Sequence, residues 1–216
     1  MTTGEQERQQ GRHAATNHLP DPRGNERLTA MTGAVLLVLF LAECFTVLSV
    51  GHYLTLHVFL GMLLIGPVSL KIGSTLWRFT RYYTRSEPYV RRGPPAPLQR
   101  VTGPFVMLST VAVLATGVML GVEGPGNGPW DRLHHLSFFA WVLFILIHLA
   151  SYVPKLPRIL SGQPADRARS VLGSRTTRWL LLGGSLAGGL VLALLTYHQL
   201  ANWGGGPPGV FIKTIR

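Results

Sequence analysis

Residues 133–153 read LHHLSFFAWVLFILIHLASYV, an unbroken stretch without lysine, arginine, aspartate or glutamate. A helix needs about 20 mainly apolar residues to cross the hydrocarbon core of a bilayer, so this stretch predicts a membrane-spanning helix. Four other stretches are comparably long and apolar, namely residues 28–50, 53–77, 101–122 and 179–197. Backbone polar groups in lipid must be hydrogen bonded within their own segment. We therefore predict an all-α integral membrane protein with five transmembrane helices, numbered here as spans one to five in chain order.

The composition favours a membrane protein over a soluble one. Of the 216 residues, 47% are hydrophobic and 13% are charged, and soluble domains usually have about 25% charged residues. The single cysteine, Cys44, excludes an internal disulfide framework and a centre ligated by several cysteines. A formal net charge of +11 would suit a nucleic acid partner only if the basic residues formed one surface, so their positions decide the question.

The basic residues are concentrated in two of the loops between the predicted spans. Residues 78–100 and residues 154–178 each hold six lysines and arginines against one acidic residue, whereas residues 51–52 hold none and residues 123–132 hold one. Loops rich in lysine and arginine stay on the cytoplasmic side of a membrane. This pattern predicts a multi-pass cell-membrane protein with a cytoplasmic N-terminus and an external C-terminus, and it argues against nucleic acid as a partner.

The regions outside the spans are short. Residues 1–27 are polar, balanced in charge and without apolar periodicity, which predicts a disordered cytoplasmic tail. Residues 28–198 form the predicted transmembrane bundle, and residues 199–216 form a predicted external C-terminal tail. This division leaves little chain for a separate soluble domain.

Histidines lie at membrane depth in two of the spans. His134 and His148 are 14 residues apart in span four, so they share one helix face with a rise of about 21 Å between them. His57 lies near the outer end of span two, which runs in the same direction as span four and so places His57 at the level of His134. Neutral imidazole is a common axial ligand of haem iron, and we predict His57 and His134 as the axial pair of an outer haem.

The inner level is less regular. Lys71, and not a histidine, follows His57 by 14 residues, so it lies opposite His148. Lys71 has three interpretations: ligation as a neutral amine, pairing with a haem propionate, or reaching to the cytoplasmic headgroups. His148 would be one ligand of a second haem. The sequence predicts one firmly bound haem b and leaves the second open.

Two further features accompany the histidines. Gly103 and Gly117 are 14 residues apart in span three, at the levels of the two histidines of span four, and Gly61 lies one turn from His57. These glycines either give room to a porphyrin edge or let helices pack closely. Glu43 in span one either relays protons at an outer quinol site or is hydrogen bonded to a neighbouring helix.

Spans two to four resemble the integral-membrane b-type cytochromes. The residues that carry the resemblance are TLHVFLGMLLIGPVSLKIGSTLWRFTRYY in span two and LHHLSFFAWVLFILIHLASY in span four. They are similar to the respiratory cytochrome b family, to the cytochrome b subunits of hydrogenases and formate dehydrogenases, and to small actinobacterial membrane proteins described as cytochrome b-like. In the respiratory family two helices carry histidine pairs, and neighbouring helices carry glycine pairs, at this spacing. Span two departs from the pattern because Lys71 stands in place of its second histidine.

The resemblance implies a fold and a function. It implies a four-helix haem-binding bundle of spans one to four, to which span five is added. It also implies electron transfer between a quinone or quinol pool and a redox partner protein, as a subunit of an oxidoreductase complex and not as a stand-alone enzyme. The alternative is a haem-free membrane anchor or scaffold for a larger complex, in which the histidines are structural.

Overall fold

The computed structural model describes residues 23–91, 93, 97–124, 128–151 and 175–200. Within these ranges the chain is helical and contains no strand, which confirms the predicted all-α class. Five helices are long and apolar enough to cross a membrane, so the protein is a multi-pass membrane protein. The helices are α1 (Arg23–Val47), α2 (Val50–Tyr83), α3 (Glu87–Arg91), α4 (Pro97–Glu123), α5 (Pro129–Ala150) and α6 (Arg175–Leu200), and α3 is the short one.

The first helix begins earlier than the sequence pattern predicts. α1 starts at Arg23, so the last residues of the predicted tail are helical, and residues 1–22 lie outside the described part of the chain. The buried side chain of Asn25 donates a hydrogen bond to the main-chain oxygen of Ser74 in α2, with a nitrogen–oxygen distance of 2.9 Å. A hydropathy pattern does not register this contact, because it depends on a residue 49 positions away.

The other bounds differ by a few residues. α2 continues to Tyr83, beyond the predicted end at residue 77, and in this extension the guanidinium of Arg81 lies 4.7 Å from the centre of the Trp77 ring. Such a cation–π contact lets an arginine cover an aromatic ring at the edge of the membrane. Most of the second basic loop, residues 152–174, and the predicted tail from residue 201 onward lie outside the described residues.

α1 and α2 form an antiparallel hairpin with polar contacts at both ends. At the end where the chain enters α1, the Lys71 ammonium donates to the main-chain oxygen of Thr29 at 2.7 Å. At the turn, the main-chain nitrogen of His52 bonds to the main-chain oxygen of Ser49, and α2 begins. Between these ends Leu36 of α1 packs against Leu64 in the apolar core. α1 therefore covers α2 along most of its membrane-spanning length.

α6, the predicted added helix, packs against α2 at backbone distance. A β-carbon on Gly66 would overlap the main-chain oxygen of Ser185 and lie 2.9 Å from the main-chain nitrogen of Gly189. A β-carbon on Gly189 would in turn overlap the main-chain oxygen of Leu63. The fully buried Pro67 has no N–H, so it cannot bond to that oxygen one turn earlier. α6 thus approaches α2 where the α2 backbone lacks one of its internal hydrogen bonds.

α4 and α5 form a second antiparallel pair. The rings of Phe105 and Phe144 stack with centroids 5.0 Å apart, and the Trp141 indole nitrogen donates to the Thr110 hydroxyl at 3.0 Å. Trp141 is also the link to the first hairpin, because its ring lies 4.8 Å from that of Phe40 in α1. These contacts bring the histidine-bearing face of α5 towards α1 and α2.

Candidate functional site

His57 and His134 lie next to each other at the outer end of the bundle. Their ring centroids are 6.2 Å apart, and the ring planes are inclined at 77°. His57 is placed by the tight turn that precedes α2, and His134 by the start of α5 at Pro129. The structure therefore brings together the two histidines that the sequence places at one level. Their role as ligands stays a prediction.

The His57 ring is held from α1. Its Nδ1 atom lies 3.0 Å from the Thr46 hydroxyl oxygen and 3.1 Å from Oε1 of Glu43. Both side chains of the ion-pair contact are largely shielded, with 19% exposure for His57 and 16% for Glu43. The contact between Glu43 and a neighbouring helix, one of the two interpretations of this residue, is thus present.

The His134 ring is held from α4. Its Nδ1 atom lies 3.1 Å from the main-chain oxygen of Val113 and 3.2 Å from the Thr116 hydroxyl oxygen. A carbonyl oxygen only accepts hydrogen bonds, so Nδ1 of His134 carries the hydrogen and Nε2 carries the lone pair. Among the described residues no hydrogen bond reaches Nε2 of His57 or of His134. Each ring thus retains the nitrogen that a metal ion needs.

Gly117 allows the His134 ring to lie against α4. A β-carbon at this position would be 3.1 Å from Cε1 and 3.4 Å from Nδ1 of His134. Gly117 therefore serves helix–imidazole contact, which is a closer version of the packing role that the sequence left open. Gly61 has a looser environment, since a β-carbon there would meet Oε1 of Glu43 at 3.5 Å.

The ring separation fits two ligands on one metal ion. An imidazole nitrogen binds a transition-metal ion at about 2.0 Å, so two imidazoles on opposite sides of one ion have centroids about 6 Å apart. Within the described part of the chain no cluster of three or more histidine, cysteine or acidic side chains could hold a metal ion. Haem needs only two axial ligands from the protein, because the porphyrin supplies the other four. The residues present therefore fit haem better than a free metal ion.

The inner level repeats the arrangement of α4 and α5. Nδ1 of His148 lies 3.1 Å from the hydroxyl oxygen of Thr102, which also donates to the main-chain oxygen of Leu98 at 2.9 Å. Each histidine of α5 thus meets a threonine that directly precedes a glycine of α4. The sequence signal for the two threonines was the Thr-Gly pair at 102–103 and again at 116–117. Gly103 differs from Gly117, because a β-carbon there would have no atom within 4 Å.

Lys71 is directed at α1. Its ammonium bonds to Thr29, and a β-carbon on Gly33 would lie 2.9 Å from Nζ of Lys71. No described contact joins Lys71 to His148. The structure thus brings together the predicted outer pair of residues and does not bring together the inner pair.

Trp141 separates the two levels and was not singled out from the sequence. It lies seven residues from each histidine of α5, and its side chain is buried, with 5% exposure. Its indole nitrogen bonds to Thr110, so its hydrogen-bonding group is satisfied within the bundle. A tryptophan midway between two histidines at heptad spacing was the available signal.

No protein-family model, no curated protein and no solved structure matches this chain.

Proposed function

We propose that the chain is a membrane b-type cytochrome that carries electrons between a quinone or quinol pool and a redox partner protein. The observation that carries the proposal is the approach of His57 and His134, with ring centroids 6.2 Å apart. Both Nδ1 atoms are engaged by neighbouring helices, which supports Nε2 as the ligating atom of each ring. The quinone and the partner protein rest on the resemblance to cytochrome b subunits.

The residues of this chain would hold and orient the cofactor. His57 and His134 would be the axial ligands, and Glu43, Thr46 and Thr116 would fix the orientation of their rings through Nδ1. When bound, haem supplies reversible one-electron chemistry at its iron. The chain contributes the ligands, a mainly apolar surrounding and the exclusion of water, which together set the reduction potential.

The first test is the effect of the two histidines on haem content. The parent protein is expected to show a reduced-minus-oxidised spectrum of low-spin haem b with one haem per chain. His57→Ala and His134→Ala should each remove the low-spin signal, because each leaves the iron with a single axial ligand. The measurement is haem per polypeptide together with the difference spectrum of the purified protein.

His135→Ala is the matched control for this test. His135 follows His134 directly, is exposed, and lies with Nδ1 2.8 Å from the main-chain oxygen of Asp131 in its own helix. Its replacement should leave the spectrum unchanged. An unchanged haem signal in the variant that lacks both His57 and His134 would show that these residues are not the ligands.

One observation favours the second candidate, a haem-free anchor or scaffold. Nδ1 of each of the three histidines at membrane depth is already hydrogen bonded to a neighbouring helix, so the rings join helices without any metal. A parent protein that is folded and lacks haem after production with an ample haem supply would support the scaffold. The same preparation thus separates the two candidates.

The orientation in the cell membrane is a separate prediction. The cation-rich loops predict a cytoplasmic N-terminus and an external C-terminus, because lysine and arginine are retained on the cytoplasmic side. A phosphatase fused after Arg216 should be active, since this enzyme folds only outside the cytoplasm, and a fusion within the first basic loop should be inactive. An inactive C-terminal fusion with an active loop fusion would reverse the orientation.

A further inference from the structure

Two side chains of α1 converge on one nitrogen of His57. The Thr46 hydroxyl oxygen and the Glu43 carboxyl oxygen Oε1 both lie within hydrogen-bond distance of Nδ1, at 3.0 and 3.1 Å. Thr46 has no exposed surface, and Oε2 of Glu43 is buried with no hydrogen-bond partner among the described residues. A polar group of this kind inside a membrane is costly unless it has a role.

The hydrogen atoms can be assigned from the contacts of Thr46. Its hydroxyl donates to the main-chain oxygen of Glu43 at 2.6 Å, which uses the one hydrogen of that hydroxyl. The Thr46 oxygen can therefore only accept from His57. It follows that Nδ1 of His57 carries a hydrogen, which Thr46 and Oε1 of Glu43 accept, and that Nε2 carries the lone pair.

We propose that Glu43 and Thr46 are positioning residues that hold His57 in the tautomer with the hydrogen on Nδ1. A second hydrogen-bond acceptor behind a histidine ligand fixes the tautomer and the ring orientation and makes the ligand more basic. The tautomer itself follows from this chain's own contacts, whereas its consequence for iron rests on the proposed function.

The two histidines then differ in how they are supported. His134 is held by a main-chain carbonyl and a hydroxyl, which are neutral acceptors, whereas His57 has a carboxyl group among its acceptors. Removal of the His57 acceptors should weaken haem retention about 10- to 100-fold, the usual range for groups behind a metal ligand. It should also raise the reduction potential, because a less basic imidazole stabilises ferric iron less.

The test removes and restores the acceptors without changing the ligand. Glu43→Leu combined with Thr46→Val deletes both acceptors at similar volume, and Glu43→Gln combined with Thr46→Ser keeps an acceptor at each position. Asp131→Leu is the carboxyl control, since Oδ2 of Asp131 lies 3.7 Å from Nδ1 of His135, which is not a proposed ligand. Each variant is measured for reduction potential, for haem dissociation, and for ¹⁵N imidazole resonances in protein produced under haem limitation. Thermal midpoints establish that the variants are folded.

The readouts separate the inference from the proposed function. We expect a hydrogen on Nδ1 of His57 in the parent and in the Gln/Ser variant, and loss of that preference in the Leu/Val variant. We also expect a raised potential and faster haem loss in the Leu/Val variant alone. A Leu/Val variant that is folded and keeps both the tautomer and the potential of the parent overturns the inference. A parent without haem contradicts the proposed function, while the ¹⁵N resonances still decide the tautomer.

Discussion

Replacing Gly66 or Gly189 with alanine is expected to destabilise the bundle more than any other single methyl group added to the described glycines. In each case the new β-carbon would overlap a main-chain oxygen of the other helix. Backbone atoms cannot rotate away as a side chain can, so α2 and α6 would have to separate. We expect a loss of about 3 kcal/mol in the free energy of unfolding, the upper end for overpacked sites. The measurement is the thermal or denaturant midpoint of the detergent-solubilised protein.

Each variant has a matched control in its own helix. Gly73 of α2 and Gly188 of α6 have no atom within 4 Å of the position of an added β-carbon. Gly73→Ala and Gly188→Ala should change the stability by no more than about 1 kcal/mol, the range of helix propensity itself. Equal midpoints for Gly189→Ala and Gly188→Ala would contradict the close α2–α6 contact.

The effect should also reach the candidate site. Gly66 lies on the helix that carries His57, so a displaced α2 would alter the separation of the His57 and His134 rings. The predicted added helix is thus a support of α2, although it supplies no predicted ligand. Hydropathy alone could not reveal this, because both the glycine contacts and a lipid-facing glycine look the same in a sequence.

The membrane-spanning fold could be predicted because length and apolar character alone decide whether a helix crosses a bilayer. The helix ends were less predictable. α1 begins at Arg23 because Asn25 bonds to α2, and this bond depends on the packing of two helices. The level of each histidine could likewise be predicted from the rise per residue, and His57 and His134 do meet.

The partner of each side chain could not be predicted from spacing. Lys71 shares a face of α2 with His57, as the spacing of 14 residues requires. That face turns towards α1 at both levels, where His57 meets Glu43 and Lys71 meets Thr29. Periodicity defines a face and a depth, whereas the neighbour depends on helix rotation and side-chain reach. The inner pair of Lys71 and His148 failed to form for this reason.

Gly117→Leu is expected to abolish most haem binding, whereas Gly103→Leu is expected to leave it intact. The two glycines have the same spacing as the histidines of α5 and the same preceding threonine, so they are equivalent in sequence. They differ in space, because a β-carbon on Gly117 would lie 3.1 Å from His134 and one on Gly103 would have no atom within 4 Å.

The first β-carbon at Gly117 already requires the His134 ring to shift, and the rest of a leucine side chain would extend further into the space that the ring occupies. The ring would then lose its contacts with Thr116 and Val113, which hold Nδ1 at 3.2 and 3.1 Å. An axial ligand displaced in this way no longer shares an iron with His57, since ligation tolerates only a few tenths of an ångström. Haem per polypeptide should fall well below half of the parent value in Gly117→Leu and remain at the parent value in Gly103→Leu. A matching thermal midpoint in the two haem-free proteins would show that the loss reflects the site and not the fold. Equal haem content in both variants would mean that contact between His134 and α4 does not govern binding, and it would favour the scaffold.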